Sequence, residues 1–173
     1  PTSSTTATLV YGDALAVVAS IMYGFQDVDF GKYHPAGSLG KKLIYTVNDL
    51  MIPGEQLKGI TKDAKLVDAT MEMSSGVPGI VVVVDSDDNL EGIITDGDLR
   101  RLLQKRINIY SLDVDQVMTK KPIVFPPDML AVDALNEMKK RGIHSAPVVK
   151  NGKYKGIISV QRIIQVGIVG DCL

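Results

Sequence analysis

The sequence predicts an α/β protein made of two copies of one structural unit. Residues 62–73 (KDAKLVDATMEM) align with residues 127–138 (PDMLAVDALNEM), so that two aspartates, a glutamate and a methionine coincide. Upstream, VNDLM at 47–51 matches VDQVM at 114–118. Because this repeat is longer than the common solenoid units, two copies indicate a pseudo-twofold pair.

The first unit has the order helix, strand, strand, helix. Asp63 is a candidate N-cap for a helix in which Leu66, Ala69 and Met73 fall on one stripe. The run GIVVVV is continuous and largely β-branched, which indicates a strand buried on both faces. The acidic segment DSDDN lies between two strand-like runs and predicts a hairpin turn. The predicted elements are helix 64–75, strand 79–84, turn 85–89, strand 90–95 and helix 96–106.

The second unit repeats this order around the turn KNGK. The tripeptide Gly-Ile-Ile occurs in the last strand of each copy, at 92–94 and at 156–158. A short extended piece precedes the first helix of each unit, at 59–61 and at 123–125. The predicted elements are helix 129–141, strand 145–149, strand 154–159 and helix 160–169.

Composition and charge are those of an ordinary globular chain: 173 residues, 45% apolar and 23% charged. The 19 basic and 20 acidic residues nearly cancel, so no net field favours nucleic acid or a membrane surface. The single cysteine, Cys172, predicts no intrachain disulfide and a reducing cytoplasm. We find no continuous apolar run of about 18 residues and no signal peptide. The opening PTSSTTATL, without an initiator methionine, predicts a piece of a longer protein.

The N-terminal segment predicts a helix over 7–23 that is buried on more than one side. Its apolar residues occupy most of the helix circumference. They are Leu9, Val10, Leu15, Val17, Val18, Ile21 and Met22. Four alternatives remain open for this helix: it packs on the repeat pair, it pairs with a second copy, it stays mobile, or it forms a self-contained cap.

Both units resemble cystathionine-β-synthase-type (CBS) repeats, from VNDLM or VDQVM to the closing GII[TS] pattern. Two such repeats imply a Bateman module, in which paired three-stranded sheets leave two clefts. Upstream, HPAGSLGKKL at 34–43 resembles the end of the sugar isomerase (SIS) domain of arabinose 5-phosphate isomerases, with one alanine for glycine and lysines for arginines. The implied domains are an SIS remnant at 1–45, CBS repeat 1 at 46–107 and CBS repeat 2 at 108–173.

The resemblance implies a function for the longer protein. The family interconverts ribulose 5-phosphate and arabinose 5-phosphate for the octulosonate sugar of lipopolysaccharide and capsule. The CBS pair would then regulate the isomerase by binding an adenine nucleotide or the cytidylylated octulosonate end product, with no required cofactor. We expect a cytoplasmic homo-dimer or tetramer with no nucleic-acid or membrane partner. The alternative is a ligand-free scaffold for oligomerisation.

In such repeats, a hydroxyl at a strand end and a carboxylate in the next helical turn hold a nucleotide. Thr95 and Asp98 match this pattern and define the first cleft. The hydroxyl and free helix N–H groups suit a phosphate, and the carboxylate can accept ribose hydroxyls. The remaining candidate residues of the first cleft are the cations Arg100 and Arg101 and the wall residues Ile60, Thr61, Val77, Pro78 and Ile80. Alternatively, the acids merely complement the helix dipole.

The second copy keeps the hydroxyl at Ser159 but has Arg162 where the first has Asp98. Because a guanidinium cannot accept ribose hydroxyls, we predict one ribose site, in the first cleft. Arg162, His144 and Lys150 either meet an anion in the second cleft or are solvated surface residues.

His34 is the candidate catalytic residue, by the resemblance. An imidazole suits proton transfer in aldose–ketose isomerisation because it changes charge near neutral pH. The sugar-phosphate cradle of the family lies upstream of this sequence, so we expect the chain alone to be inactive. We predict no metal site, since two histidines and one distant cysteine cannot form a closed zinc set. The segment 85–96 lacks the glycine and the glutamate of a calcium loop.

Overall fold

The computed structural model describes residues 2–34, 37–57, 59–75, 77 and 79–170. The chain divides into two compact units, Pro1–Ile44 and Tyr45–Leu173. Each unit has its own helices, and the second contains the strands that the structure describes.

The first unit contains helices α1 (Thr2–Met22), α2 (Asp27–Tyr33) and α3 (Ser38–Ile44). All side chains of α1 are exposed except the half-buried Ala19, so the predicted burial of this helix is not seen in the structure. By length and composition alone α1 is long and apolar enough to cross a membrane, contrary to the expectation from the sequence. The same length and composition occur in helices packed inside soluble proteins.

The second unit is a pair of helix–strand–strand–helix repeats, as predicted. The first repeat contains α5 (Leu66–Ser75), β2 (Ile80–Val84), β3 (Leu90–Thr95) and α6 (Asp96–Gln104). The second contains α7 (Ala131–Arg141), β4 (Ser145–Lys150), β5 (Lys153–Ser159) and α8 (Val160–Gln165). Helix α4 (Val47–Leu50) and strand β1 (Ile52–Pro53) precede them, and 3-10 turns occur at Gly54–Gln56, Ile109–Ser111 and Val114–Gln116.

The strands form two antiparallel groups, one of order β1-β5-β4 and one that pairs β2 with β3. All five residues of β2 are buried, which confirms the prediction of a strand covered on both faces. The predicted extended pieces run parallel to the neighbouring strands, with Ile60 beside Val83 and Phe125 beside Val148. In the turn after β2, the Asn89 side chain and backbone donate to Asp85, and these hydrogen bonds lower the pKa of that carboxyl.

The first segment of each repeat packs against the helices and strands of the other repeat. We call residues 45–53 the first leader and residues 112–119 the second leader. Val47 and Leu50 of the first leader lie in the core of the second repeat, and Val114 of the second leader lies in the core of the first. The leaders are therefore exchanged between the repeats. Strand pairing shows the same exchange, because Ile52 pairs with Ile157 and Thr119 pairs with Ile93.

This exchange explains why two helices begin later than predicted. Asp63 is not an N-cap, because it lies in a turn and the residues after it, a bend at Ala64 and a bridge at Lys65, pair with the second leader before the helix begins. The Val114 N–H donates to the Ala64 carbonyl at 3.0 Å, and Lys65 forms a bridge with Asp113. In the second repeat, the Val47 N–H donates to the Met129 carbonyl at 2.8 Å. The first helices therefore begin at Leu66 and Ala131.

One core polar group lacks a partner. Tyr154 on β5 is 8% exposed and lies among apolar residues of both repeats, including Val82, Val84 and Ile157. Among the described residues, no group forms a hydrogen bond with its hydroxyl. Burial therefore raises the pKa of the phenol. An unpaired buried hydroxyl costs stability, because it loses its bonds to water without replacement.

Replacing Tyr154 by phenylalanine is expected to stabilise the second unit. Phe keeps the ring and removes the unpaired hydroxyl, so the free energy of unfolding should rise by about 1 kcal/mol. Urea denaturation of both variants measures this difference, with Tyr110→Phe as control because Tyr110 is 75% exposed. A loss of stability in Tyr154→Phe would mean that the hydroxyl has a partner in solution.

Candidate functional site

The predicted first cleft contains a carboxylate with a hydrogen-bond partner on each oxygen. The Thr95 N–H and hydroxyl both donate to Asp98 Oδ2, at 2.8 and 2.7 Å. The Arg101 guanidinium donates to Asp98 Oδ1, so both oxygens of Asp98 have partners. The Asp98 side chain is 11% exposed, whereas that of Arg101 is 65% exposed. A ribose hydroxyl at Asp98 Oδ1 would have to share that oxygen with Arg101 or replace it.

The same cap occurs at a helix that begins outside the predicted clefts. The Thr46 N–H and hydroxyl donate to Asp49 Oδ2 at 2.8 and 2.7 Å, the distances found at Thr95 and Asp98. Thr46 and Asp49 start α4 of the first leader. The hydroxyl-to-carboxylate pattern is therefore by itself a helix cap in this chain.

The structure brings some predicted residues of the first cleft together and separates others. Ile80 lies opposite Thr95 across the β2–β3 ladder. Thr61 follows Ile60, which pairs with Val83, so Thr61 lies about 13 Å along β2 from Ile80. Arg100 on α6 is exposed. Pro78 lies outside the described residues.

The second cleft is a cavity of about 600 Å³. It brings His144, Ser159 and Arg162 together, as the sequence proposed for this cleft. Val77, assigned to the first cleft from the sequence, also lines it. The remaining lining residues are Ile52, Ser145, Val160, Gln161, Ile164 and Gln165.

Arg162 makes a contact that Asp98 cannot make. Its Nε–H donates to the Leu50 carbonyl of the first leader at 3.2 Å. Its backbone N–H donates to Ser159 Oγ at 3.3 Å, so Ser159 still caps α8. Within the described part of the chain, Nε is the only guanidinium nitrogen of Arg162 that donates a hydrogen bond.

Sequence reasoning missed the contribution of the first leader and misplaced one cation. Ile52 lines the second cleft and Leu50 orients Arg162. Lys150 lies at the far end of β4, where it pairs with Lys153, whereas His144 immediately precedes the start of that strand. The resemblance of VNDLM to VDQVM identified the leaders as parts of the repeat but not where they dock.

The second cleft has the chemistry of an anion site with an apolar wall. Among the described residues that line it, none is acidic. A guanidinium forms charge-assisted hydrogen bonds to phosphate oxygens. Ile52, Val77 and Ile164 offer an apolar surface to a planar ring, and the volume falls within the usual range of small-molecule sites.

His34 is exposed at the end of α2. Its ring lies 4.7 Å from the ring of Phe30, and its backbone N–H donates to the Phe30 carbonyl at 3.0 Å. A Cβ on Gly40 would approach the His34 carbonyl to under 3.0 Å, so only glycine fits there without a shift. Pro35 and Ala36, which follow His34, lie outside the described residues.

A metal centre was not expected from the sequence. In the described ranges, no three His, Cys, Asp or Glu side chains are grouped so that they could hold a metal ion.

Comparison with known sequences identifies both repeats and finds relatives along nearly the whole chain. The CBS domain family matches residues 47–105 and 114–168. Arabinose 5-phosphate isomerase KdsD of Yersinia pestis is 40% identical over 169 residues, which are 98% of this chain and 52% of that protein. KdsD of Escherichia coli K12 is 42% identical over 169 residues, with the same coverage. The chain spans about half the length of these relatives.

Solved structures with the same fold are CBS-pair proteins. An acetoin utilization protein (AcuB) from Vibrio cholerae superposes with a TM-score of 0.63 at 22% identity, over 72% of this chain and 90% of that one. CBSX2 in complex with AMP gives 0.59 at 25% identity, over 70% and 94%. The CBS domain pair of MJ0100, in complex with 5′-methylthioadenosine and S-adenosyl-L-methionine, gives 0.60 at 21% identity, over 71% and 95%.

Proposed function

Because this chain belongs to the CBS-domain family, we propose that it is the regulatory CBS pair of a sugar-phosphate isomerase and that it binds a nucleotide or nucleotide-sugar. The observation that carries the proposal is the second cleft, where a guanidinium and an imidazole lie beside an apolar wall in a cavity of about 600 Å³. The phosphate would contact Arg162 and the base would lie against Ile52 and Val77. Relatives with AMP and S-adenosylmethionine in complex support a nucleotide as the ligand class.

The first experiment is calorimetric titration of the chain with AMP, ATP, S-adenosylmethionine and the cytidylylated octulosonate. At least one is expected to bind saturably. Arg162→Ala should weaken that binding at least tenfold, because a hydrogen bond to a charged group contributes about 1.5–3 kcal/mol. Lys150→Ala is the matched control, since it removes a cation at the far end of β4. Equal affinities in the two variants would contradict a phosphate at Arg162.

A ribose site at Asp98 remains a prediction and has its own control. Asp98→Ala and Asp49→Ala remove the same cap, so each should cost about 1 kcal/mol of stability. A ribose at Asp98 predicts that only Asp98→Ala also weakens nucleotide binding, by about tenfold for hydrogen bonds to a charged group. Titration of both variants measures this. An equal effect of the two variants would make Asp98 a helix cap and nothing more.

The whole protein would be an arabinose 5-phosphate isomerase of the cytoplasm that supplies octulosonate for lipopolysaccharide or capsule. Support comes from relatives about 40% identical over nearly this whole chain. We further propose that the protein forms homo-dimers or tetramers. A ligand would act as an allosteric effector only if it binds two states of the enzyme with different affinity.

A second candidate is a ligand-free CBS scaffold for assembly of the isomerase. The bonded state of Asp98, whose oxygens already accept from Thr95 and Arg101, favours it for the first cleft. The scaffold predicts that none of the four compounds binds either to the natural chain or to Arg162→Ala.

A further inference from the structure

Arg162 connects the second cleft to the first leader, the segment through which the chain enters the CBS pair. Its Nε–H is bonded to the Leu50 carbonyl, and Arg162 is also one of the residues that line the cavity. Ile52, two residues after Leu50, lines the same cavity and pairs with Ile157 of β5. A ligand in the second cleft therefore meets the first leader both directly and through Arg162.

A ligand need not displace this contact. Arg162 has five guanidinium N–H donors, and the bond to Leu50 uses one of them. The remaining donors can bind phosphate oxygens while Nε stays on the carbonyl. The carbonyl fixes the direction of the guanidinium, and such prior orientation lowers the cost of binding.

We infer that Arg162 couples ligand binding in the second cleft to docking of the first leader, so that each stabilises the other. The inference rests on the proposed function and adds its regulatory element. The coupling is reciprocal by thermodynamic necessity: a ligand that binds better when the leader is docked must favour the docked leader by the same factor. The docked fraction of the first leader then rises with ligand occupancy, and this change occurs in the segment that begins at residue 45.

The pseudo-symmetric second leader has no such connection. Val117 corresponds to Leu50, and Asp98 corresponds to Arg162. The Asp98 carboxylate cannot donate to a carbonyl, and its oxygens accept from Thr95 and Arg101 instead. The second leader otherwise docks through equivalent backbone bonds, with Val114 donating to Ala64 as Val47 donates to Met129. It is an internal control within the same molecule.

Hydrogen exchange of the 173-residue chain, followed by mass spectrometry, tests the coupling. Without ligand, Arg162→Ala should speed exchange of the Val47 and Asn48 amides about fivefold, the factor for one net hydrogen bond. The Val114 and Asp115 amides should not change, and Lys150→Ala should leave both leaders unchanged. Unaltered exchange of Val47 and Asn48 in Arg162→Ala would overturn the connection.

The ligand arm uses AMP and inorganic pyrophosphate as probes. Saturating AMP should slow exchange at Val47 and Asn48 at least fivefold, with no change at Val114 and Asp115. Arg162→Lys keeps a cation but lacks the planar fork of donors, so it should retain measurable binding and lose most of this protection. Slowing by pyrophosphate alone would assign the effect to the phosphate.

The outcomes separate the two proposals. If AMP binds and leaves the first leader unchanged, or speeds its exchange, the coupling is wrong and the binding site stands. If AMP does not bind, the compound that does bind in the calorimetric titration replaces it as the probe. If pyrophosphate and all four compounds fail to bind, the proposed site and the coupling both fall.

Discussion

Gly156→Ala is expected to destabilise the second unit by about 3 kcal/mol, the upper end of the usual cost of overpacking a well-packed core. A Cβ at residue 156 would lie within 3.0 Å of the Ile52 carbonyl oxygen, a backbone atom that cannot turn aside. The methyl group would therefore force β1 away from β5. Its neighbour Leu50, buried in the core of the second repeat, would move with it.

Urea denaturation of the chain measures this loss. Gly92→Ala is the equivalent variant in the first repeat, because a Cβ there meets the Met118 sulfur and the Thr119 carbonyl of the second leader at 2.9 Å. It should also destabilise, but less, since the methionine side chain can move and the approach to the backbone carbonyl is less close than at residue 156. Gly12→Ala is the control, with nothing within 4 Å of the added methyl group. If Gly156→Ala is as stable as Gly12→Ala, the leader does not dock on β5 in solution.

In a protein with the full length of the relatives, His34→Gln is expected to lower kcat by a factor of about 10²–10⁴, the usual contribution of a positioned acid or base. Glutamine is similar in size and can form hydrogen bonds but cannot transfer a proton near neutral pH. The Phe30 ring lies 4.7 Å from the imidazole, and His34 is otherwise exposed. KM should change little, because only proton transfer is lost.

Turnover of arabinose 5-phosphate to ribulose 5-phosphate measures the effect. Lys32→Gln is the control, because Lys32 lies two residues before His34. Its side chain is 65% exposed, and its ammonium pairs with Asp29 on the same helix. Gly40→Ala should also reduce kcat, because its Cβ would press on the His34 carbonyl and shift the residue. Turnover of His34→Gln within twofold of the natural protein would exclude a catalytic role.

The sequence predicted the candidate site in part. It identified Ser159, Arg162 and His144 as one group, and the structure places all three in the second cleft. It also assigned Val77 to the wall of the first cleft, whereas the structure shows it lining the second. A residue between a helix and a strand can face either cleft of a twofold pair, and only packing between the repeats decides which. The carbonyl of Leu50 carries no side-chain signal, so no sequence pattern could show its bond to Arg162.

By itself the sequence determined the repeat, the order of its elements and the buried character of β2. These features depend on local patterns: a β-branched run makes a buried strand, and a polar turn closes a hairpin.

Only the tertiary structure decided that each leader docks on the other repeat. VNDLM and VDQVM share their apolar positions, so the sequence does not indicate which groove each leader fills. The second leader reaches the nearer repeat, pairing Thr119 with Ile93, and the first takes the equivalent groove left in the second repeat, pairing Ile52 with Ile157. Closing the longer loop between the first leader and β5 costs only about 1 kcal/mol more in chain entropy than closing the shorter loop between β3 and the second leader. The burial of Val47 and Leu50 in that groove exceeds this cost.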